Sequence, residues 1–486
     1  MPSRDLRSAL AELADIDHAA KLMAWDQQTK MPAGGAQERG EAMATIERIA
    51  HERLTDEALG ELLDTAGEED AAIARVVRRD RDRAVRVPSE LAADLARAAA
   101  EGATAWQRAR AESDFAAFAP YLERNVELCR RYAACFPESE HPYDALLDRH
   151  EPEMTTAEVR SVFGRLREGL VPLIETLTAR SAPPQLTASF PAAEQRALAL
   201  EMLRALGFDD EHWRLDKTVH PFLAAIAPTD VRVTTRFAED SLAGIFGTLH
   251  EMGHGLYERQ VDPALARTMV GTGVSSGVHE SQSRLWENLV GRGEPFWRHW
   301  LPRAQARFPE ALGAISLDEF LRAVNAVRPS LIRVEADEAT YSLHIILRFE
   351  LEVALVEGTL AVRDLPEAWN ARTRELLGIE VPDDAHGVLQ DIHWAYAELG
   401  YFPTYALGNV VAAQLWQAVR RDLPSLDDDL AAGDTAPLRE WLRERVHRHG
   451  RLLAPPELLR RATGSALDSQ PLLDELAGRY GRLYGL

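Results

Sequence analysis

Lysine is almost absent from this 486-residue chain: Lys21, Lys30 and Lys217 are the only three, so nearly all of its positive charge is arginine. Acids outnumber bases 77 to 55, a formal net charge of -22, which argues against nucleic acid and anionic membrane as partners. Cysteine is scarce too. The two present, Cys129 and Cys135, lie six residues apart on one expected helix and point to different faces, which excludes a disulfide framework and fits a reducing cytoplasm. No apolar run reaches the length of a membrane span. The start, Met1-Pro2-Ser3-Arg4-Asp5-Leu6-Arg7, enters an amphipathic charged pattern without the apolar core of a signal peptide. Long linkers and low-complexity tracts are missing as well, while 46% of residues are hydrophobic, enough for a large core. A single cytoplasmic domain over 1–486 is therefore expected.

Against this background one pentapeptide stands out, His250-Glu251-Met252-Gly253-His254. Residues i and i+4 share a helical face, so both imidazoles can reach one zinc ion while Glu251 is held beside it as a base. The apolar run Ser241 to Leu249 and the continuation at Leu256 and Tyr257 have the spacing of a helix packed into a core. Taken alone, the pentapeptide also fits a buried helix with two satisfied histidines. Hydrolytic zinc needs a third protein ligand and an open fourth position for water. The metzincin spacing fails because Tyr257 and Gln260 stand where glycine and histidine are required, and a glutamate about twenty residues downstream would fall at Gly273 and Val274. Glu280, on a second apparent helix with Leu285 and Leu289 turned inward, is the expected third ligand; Glu287 on the same face is its substitute. Arg284, one turn from Glu280, reads either as an i, i+4 ion pair or as a group supporting the site. Neither a G-x-S-x-G elbow nor a convincing cysteine nucleophile is present, so attack by water is expected. Gly271-Thr272-Gly273-Val274-Ser275-Ser276-Gly277 lacks the G-K-[ST] of a phosphate loop and reads as a flexible loop bordering a groove.

Elsewhere helical periodicity dominates. Residues 36 to 135 alternate apolar and charged positions, with the arginine-rich run Arg75 to Arg83 on an outer, solvated face. Thr155-Thr156-Ala157-Glu158 has the form of a capping box, and Ser181-Ala182-Pro183-Pro184 ends the helix that it opens. The strand candidates are Thr218 to Phe222 and Val231 to Phe237, with a turn at Pro228-Thr229-Asp230. The expected fold is mainly α: an elongated helical peptidase domain with a small sheet beside the metal helix and a deep groove. Residues 1–215 would form a helical shell over that groove and 216–486 the zinc-site half.

Further motifs carry a resemblance. His220-Pro221-Phe222, Asp230-Val231-Arg232-Val233-Thr234, the pentapeptide, His279-Glu280-Ser281-Gln282, Ile332-Arg333-Val334-Glu335-Ala336-Asp337 and Gly387-Val388-Leu389-Gln390-Asp391-Ile392-His393-Trp394 occur in that order. Together they resemble the carboxypeptidase Taq family of zinc metallocarboxypeptidases over nearly the whole chain, and Trp25 to Pro32 is similar to its N-terminal region. The resemblance implies zinc, with cobalt as a possible substitute, peptide substrates and a homodimer. It implies the release of single C-terminal residues with broad specificity, with His250, His254 and Glu280 as ligands and Glu251 as general base. Oxyanion donors are sought in His393, Tyr401 and Tyr405, a layout similar to angiotensin-converting-enzyme-like peptidases, with His393 the leading candidate. A C-terminal carboxylate calls for an arginine fork, for which Arg333 and Arg232 are candidates; either could instead be paired with a neighbouring carboxylate. Gln390 and Asp391 are expected to orient His393 and the substrate backbone. Two rivals stay open at this point: a dipeptidyl carboxypeptidase or oligoendopeptidase, and a non-catalytic metal-binding scaffold.

Overall fold

The computed structural model describes residues 5–180 and 183–486, so the expected features at Met1 to Arg4 and at Ser181 and Ala182 lie outside the described residues. Helices form where the periodicity places them. The stretch from 36 to 135 divides into Ala36–Thr55, Glu57–Asp64, Ala71–Arg86, Ser89–Glu112 and Phe115–Ala133. At Thr155 the capping box is present, with side-chain and backbone bonds exchanged between Thr155 and Glu158. Cys129 is buried on the helix Phe115–Ala133, whereas Cys135 falls just beyond its end; both thiols are free.

Three strands form one sheet in the order β1-β3-β2, where β1 is Trp213–Lys217, β2 Leu223–Ala227 and β3 Asp230–Thr235. β1 runs parallel to β3, and β2 antiparallel to it. The expected strand over 218–222 is a correction: those residues link β1 to β2. Pro221 has no N–H to give a ladder, and Val219 is 68% exposed. The second expected strand is β3, ending at Thr235. Its Val231 and Val233 are fully buried and pack in one core with Leu249, Met252 and Leu256 of the helix Ala243–Arg259, which fixes the sheet against the metal-motif helix.

Two large apolar cores meet along the helix Pro403–Asp422. Ala406, Leu407, Val410 and Ala413 enter one core with residues of the helices Thr156–Thr178 and Glu338–Glu357; Val411, Ala412, Leu415 and Val419 enter the other beside the sheet. A helix apolar on nearly every side belongs in an interior, and this one separates and joins both cores. The helix Ser276–Arg284 packs on it, followed by a π-helical turn over Leu285–Val290 that keeps Leu285 and Leu289 inward. No helix among the described residues is long and apolar enough to cross a membrane.

Gly253 decides how closely the two site helices approach. A Cβ there would lie 2.5 Å from the Gln282 carbonyl oxygen and 2.7 Å from Ser283 Cα. Helix propensity alone favours Gly253→Ala by about 1 kcal/mol, whereas overpacking at a rigid contact costs about 1–3 kcal/mol. Net destabilisation is expected in urea unfolding of the metal-free protein; a stabilised variant would show that the helices separate freely.

Candidate active site

A groove of about 890 Å³ runs past the helix Ala243–Arg259, and His250, Glu251, His254 and Glu280 lie on its wall with Tyr401 and Tyr405. Two helical turns supply the imidazoles and the adjacent helix supplies the carboxylate. His250 Nε2 is 3.6 Å and His254 Nε2 3.4 Å from Glu280 Oε2. A tetrahedral ion with ligand bonds of about 2.1 Å has edges of about 3.4 Å, which matches both spacings to Glu280, and the three ligand atoms all lie within 4.8 Å of one another. Each imidazole is turned to leave Nε2 free. His250 Nδ1 is 2.8 Å from Glu287 Oε2, and His254 Nδ1 is 3.0 Å from the His279 carbonyl oxygen. Glu287, the substitute ligand of the sequence reading, therefore stands behind His250 as the acceptor that orients it.

Electrostatics separate the acids. Burial would raise the Glu280 carboxyl, but Arg284 at 2.7 Å and the imidazoles hold it well below the usual carboxylate range. Burial is likewise outweighed at Glu287, by Arg284 and His250, leaving it at about 2. Glu251 is different. It is 7% exposed, has no hydrogen bond or ion pair among the described residues, and burial lifts it to about 7. Burial also lowers His254 to about 4, a neutral imidazole able to ligate.

Arg284 forms the expected i, i+4 ion pair with Glu280, and its guanidinium lies 4.2 Å over the ring of Tyr341. Tyr341 in turn accepts from Arg333 Nη1 at 3.0 Å. Arg333 is buried and paired with Asp391 at 2.8 Å, and fully buried Arg348 takes the other Asp391 oxygen at 2.5 Å. Two guanidiniums thus share one carboxylate, a surplus of one positive charge, with Arg333 4.8 Å over the Tyr405 ring. Arg232 is bound by Asp230 through two bonds of 2.8 Å and stacks on Trp25, in line with the ion-pair alternative. Gln390 departs from expectation: its side chain bonds the main chain at Leu331, Arg333, His386 and Gly387 and has no hydrogen bond to His393 among the described residues, so it braces the loop that carries Asp391.

Of the three oxyanion candidates, the two tyrosines line the groove, and His393 stands behind Tyr405 with Nε2 3.1 Å from its hydroxyl. Burial holds His393 at about 4, hence neutral. Three further residues, given no role by the sequence reading, line or brace this wall. Glu352, buried and lifted to about 7 by burial, accepts from Tyr143, from Trp394 Nε1 at 2.7 Å and from the Gly400 N–H at 3.1 Å, so it pins the segment between His393 and Tyr401. His150 packs edge-on to Tyr401, and Glu151 accepts from the Gly277 N–H at the start of the Glu280 helix. Residues Thr272 to Ser276 border the groove as expected, but with Thr272 and Gly273 bonded to Glu258 the segment is tied down. Arg79 and Arg83, from the run read as a solvated face, turn toward the groove and pair with Asp148.

Residues 5–480 match the family model for carboxypeptidase Taq (M32) metallopeptidase. The chain is similar to thermostable carboxypeptidase 1 of Thermus thermophilus, at 45% identity over 98% of this chain and 97% of that protein. Similarity to carboxypeptidase 1 of Bacillus subtilis is 39% over 98% and 97%. The crystal structure of the M32 carboxypeptidase from Deinococcus radiodurans superposes with a TM-score of 0.97 at 42% identity, covering 99% of each chain.

Asp391 is the carboxylate on which two buried cations depend. Asp391→Asn would leave both with a neutral partner, and breaking such a buried pair costs about 3–5 kcal/mol. A loss of that order is expected in denaturant unfolding; a loss under about 1 kcal/mol would mean that water already reaches the cluster.

Proposed function

The chain belongs to the carboxypeptidase Taq (M32) family and is a metallocarboxypeptidase, and on that premise we propose that it holds zinc between His250, His254 and Glu280 and releases single C-terminal residues from peptides with broad specificity. The observation that carries this reading is a groove in which three metal-competent atoms, all within 4.8 Å of one another, stand beside a buried carboxylate, Glu251, that has no side-chain partner among the described residues. When bound, zinc, or cobalt in its stead, supplies a Lewis acid that polarises the scissile carbonyl and makes water easier to deprotonate. Glu251 takes a proton from the attacking water onto a carboxylate oxygen as the C–O bond forms. It then passes that proton to the amine nitrogen as the C–N bond breaks.

The oxygen that gains negative charge is met by Tyr401 and Tyr405, whose hydroxyls burial keeps protonated above the usual phenol range. Neutral His393 donates its Nε2 proton to the Tyr405 oxygen, which frees the Tyr405 proton to point into the groove. The surplus charge of Arg333 and Arg348 over Asp391 favours an anion at this end of the wall, where a terminal carboxylate would bind.

Mass spectrometry of a defined peptide tests the reading. Stepwise loss of single C-terminal residues is expected with zinc, none with a chelator, and none from the C-terminally amidated peptide. Release of dipeptides or internal fragments would instead make it a dipeptidyl carboxypeptidase or oligoendopeptidase. Glu251→Gln should retain one zinc per chain while turnover falls by at least about a hundredfold, the scale of a lost general base. Because Glu251 accepts a proton only when ionised, kcat/KM should fall as pH drops through its pKa. A neighbouring cation lowers that pKa from about 7, so the acid limb belongs below 7. An acid limb centred above 7 would remove Glu251 from the role.

A further inference from the structure

Behind His254 runs a line of polar contacts that the hydrolytic steps do not use. His254 Nδ1 is 2.6 Å from His279 Nδ1, as well as 3.0 Å from the His279 carbonyl oxygen. On the far side of the same ring, His279 Nε2 is 3.0 Å from Glu258 Oε1. Glu258 is 6% exposed and lies one helical turn beyond His254.

Proton counting leaves one satisfactory arrangement. An ionised carboxylate only accepts, so His279 carries its proton on Nε2 and gives it to Glu258. His279 Nδ1 is then bare and accepts from His254 Nδ1–H, and His254 Nε2, the atom 3.4 Å from Glu280, keeps its lone pair. The reverse arrangement would put the His279 proton on Nδ1, move the His254 proton to Nε2 and leave Glu258 facing a bare nitrogen. We propose that Glu258 and His279 are positioning residues, a carboxylate–imidazole relay that fixes the tautomer of His254 and strengthens it as a metal donor. It rests on the reading of His254 as a ligand.

Geometry gives the relay rigidity. The His279 ring is confined by Gly273, where a Cβ would lie 2.7 Å from His279 Cδ2, and by Tyr257, whose ring centre is 5.4 Å away. Glu258 Oε1 also receives Thr272 Oγ1 at 2.8 Å and the Gly273 N–H at 3.0 Å, so the carboxylate cannot swing off the ring. The two imidazoles are thus backed by carboxylates unequally: Glu287 meets His250 directly at 2.8 Å, whereas Glu258 reaches His254 only through the His279 ring, beside the His279 carbonyl oxygen at 3.0 Å. Groups that orient a ligand in this way are typically worth 10–100-fold in metal affinity.

Zinc affinity by chelator competition, and the visible absorption of the cobalt-loaded protein, test the relay in full-length wild type and four variants. His279→Phe should bind zinc about 10–100-fold more weakly. Glu258→Gln, which keeps an acceptor but removes its charge, should fall between wild type and that variant, and should alter the cobalt bands because donor strength at His254 has changed. Thr272→Val removes a different bond from the same carboxylate and should leave both readouts at the wild-type value. Zinc affinities of Glu258→Gln and His279→Phe within twofold of wild type would overturn the relay. So would a Thr272→Val effect equal to that of Glu258→Gln, which would make it loop packing. If wild type binds no zinc, or His254→Ala binds it as tightly, the ligand assignment fails instead.

Discussion

A carboxylate stays ionised in a water-poor interior only where cations or hydrogen-bond donors meet it, and Glu280 stands at the junction of three basic side chains. Arg284 holds one oxygen from its own helix, and His250 and His254 approach the other from a different helix. The arrangement depends on how near the two helices come, which is why a side chain at position 253 would strike the backbone at Gln282 and Ser283. It depends also on Arg284 staying in place, and the Tyr341 ring beneath the guanidinium secures that. From Tyr341 the contacts continue to Arg333, Asp391 and Arg348. The metal-competent corner and the opposite wall of the groove are thereby one connected set of buried charges.

Two glutamates at the groove receive opposite treatment, and the roles proposed for them require the difference. Glu280 is surrounded by positive charge and kept as an anion, whereas Glu251, between the two histidines in sequence, faces the groove with no partner and is lifted to about 7. A ligand must be ionised at all working pH values; a proton carrier must be able to hold a proton and give it up. Burial without a cation produces the second behaviour, and burial with Arg284 the first.

Legibility followed periodicity. The pentapeptide at i, i+4 spacing, the helices from 36 to 135 and the capping box at Thr155 are local patterns, and they are where the sequence indicates. Glu280 could be chosen because alternatives at fixed spacings were occupied by residues unable to ligate. The strand over 218–222 misled because its β-branched composition is local, while a ladder partner is not, and Pro221 was the warning. Long-range partners stayed hidden. Nothing near Asp391 in the chain indicates that Arg348 shares it with Arg333 across a helix, nor that Glu352 gathers Tyr143, Trp394 and Gly400. Glu258 was within reach, since it lies four residues past His254 on the same helical face, and an acid there can serve the metal through whatever ring lies between.

Where an anion can rest in the groove follows from which cations are already satisfied. Arg79 and Arg83 share Asp148, and Arg451 pairs with Asp80 at 2.8 Å, so three groove-lining cations meet two acids, at half-buried positions where water screens the charge left over. Arg149 has no carboxylate partner among the described residues, but it is exposed on the Tyr132 ring, where water screens most of its attraction. The Arg333 and Arg348 pair differs in its burial: here two cations share one acid away from water, one aromatic ring behind the Tyr405 wall. Low polarisability around that pair lets its unmatched charge act at longer range than any surface arginine can. On the proposed reading, a peptide end carrying a carboxylate gains from that field and an internal peptide segment does not, which would bias the hydrolytic site toward chain ends.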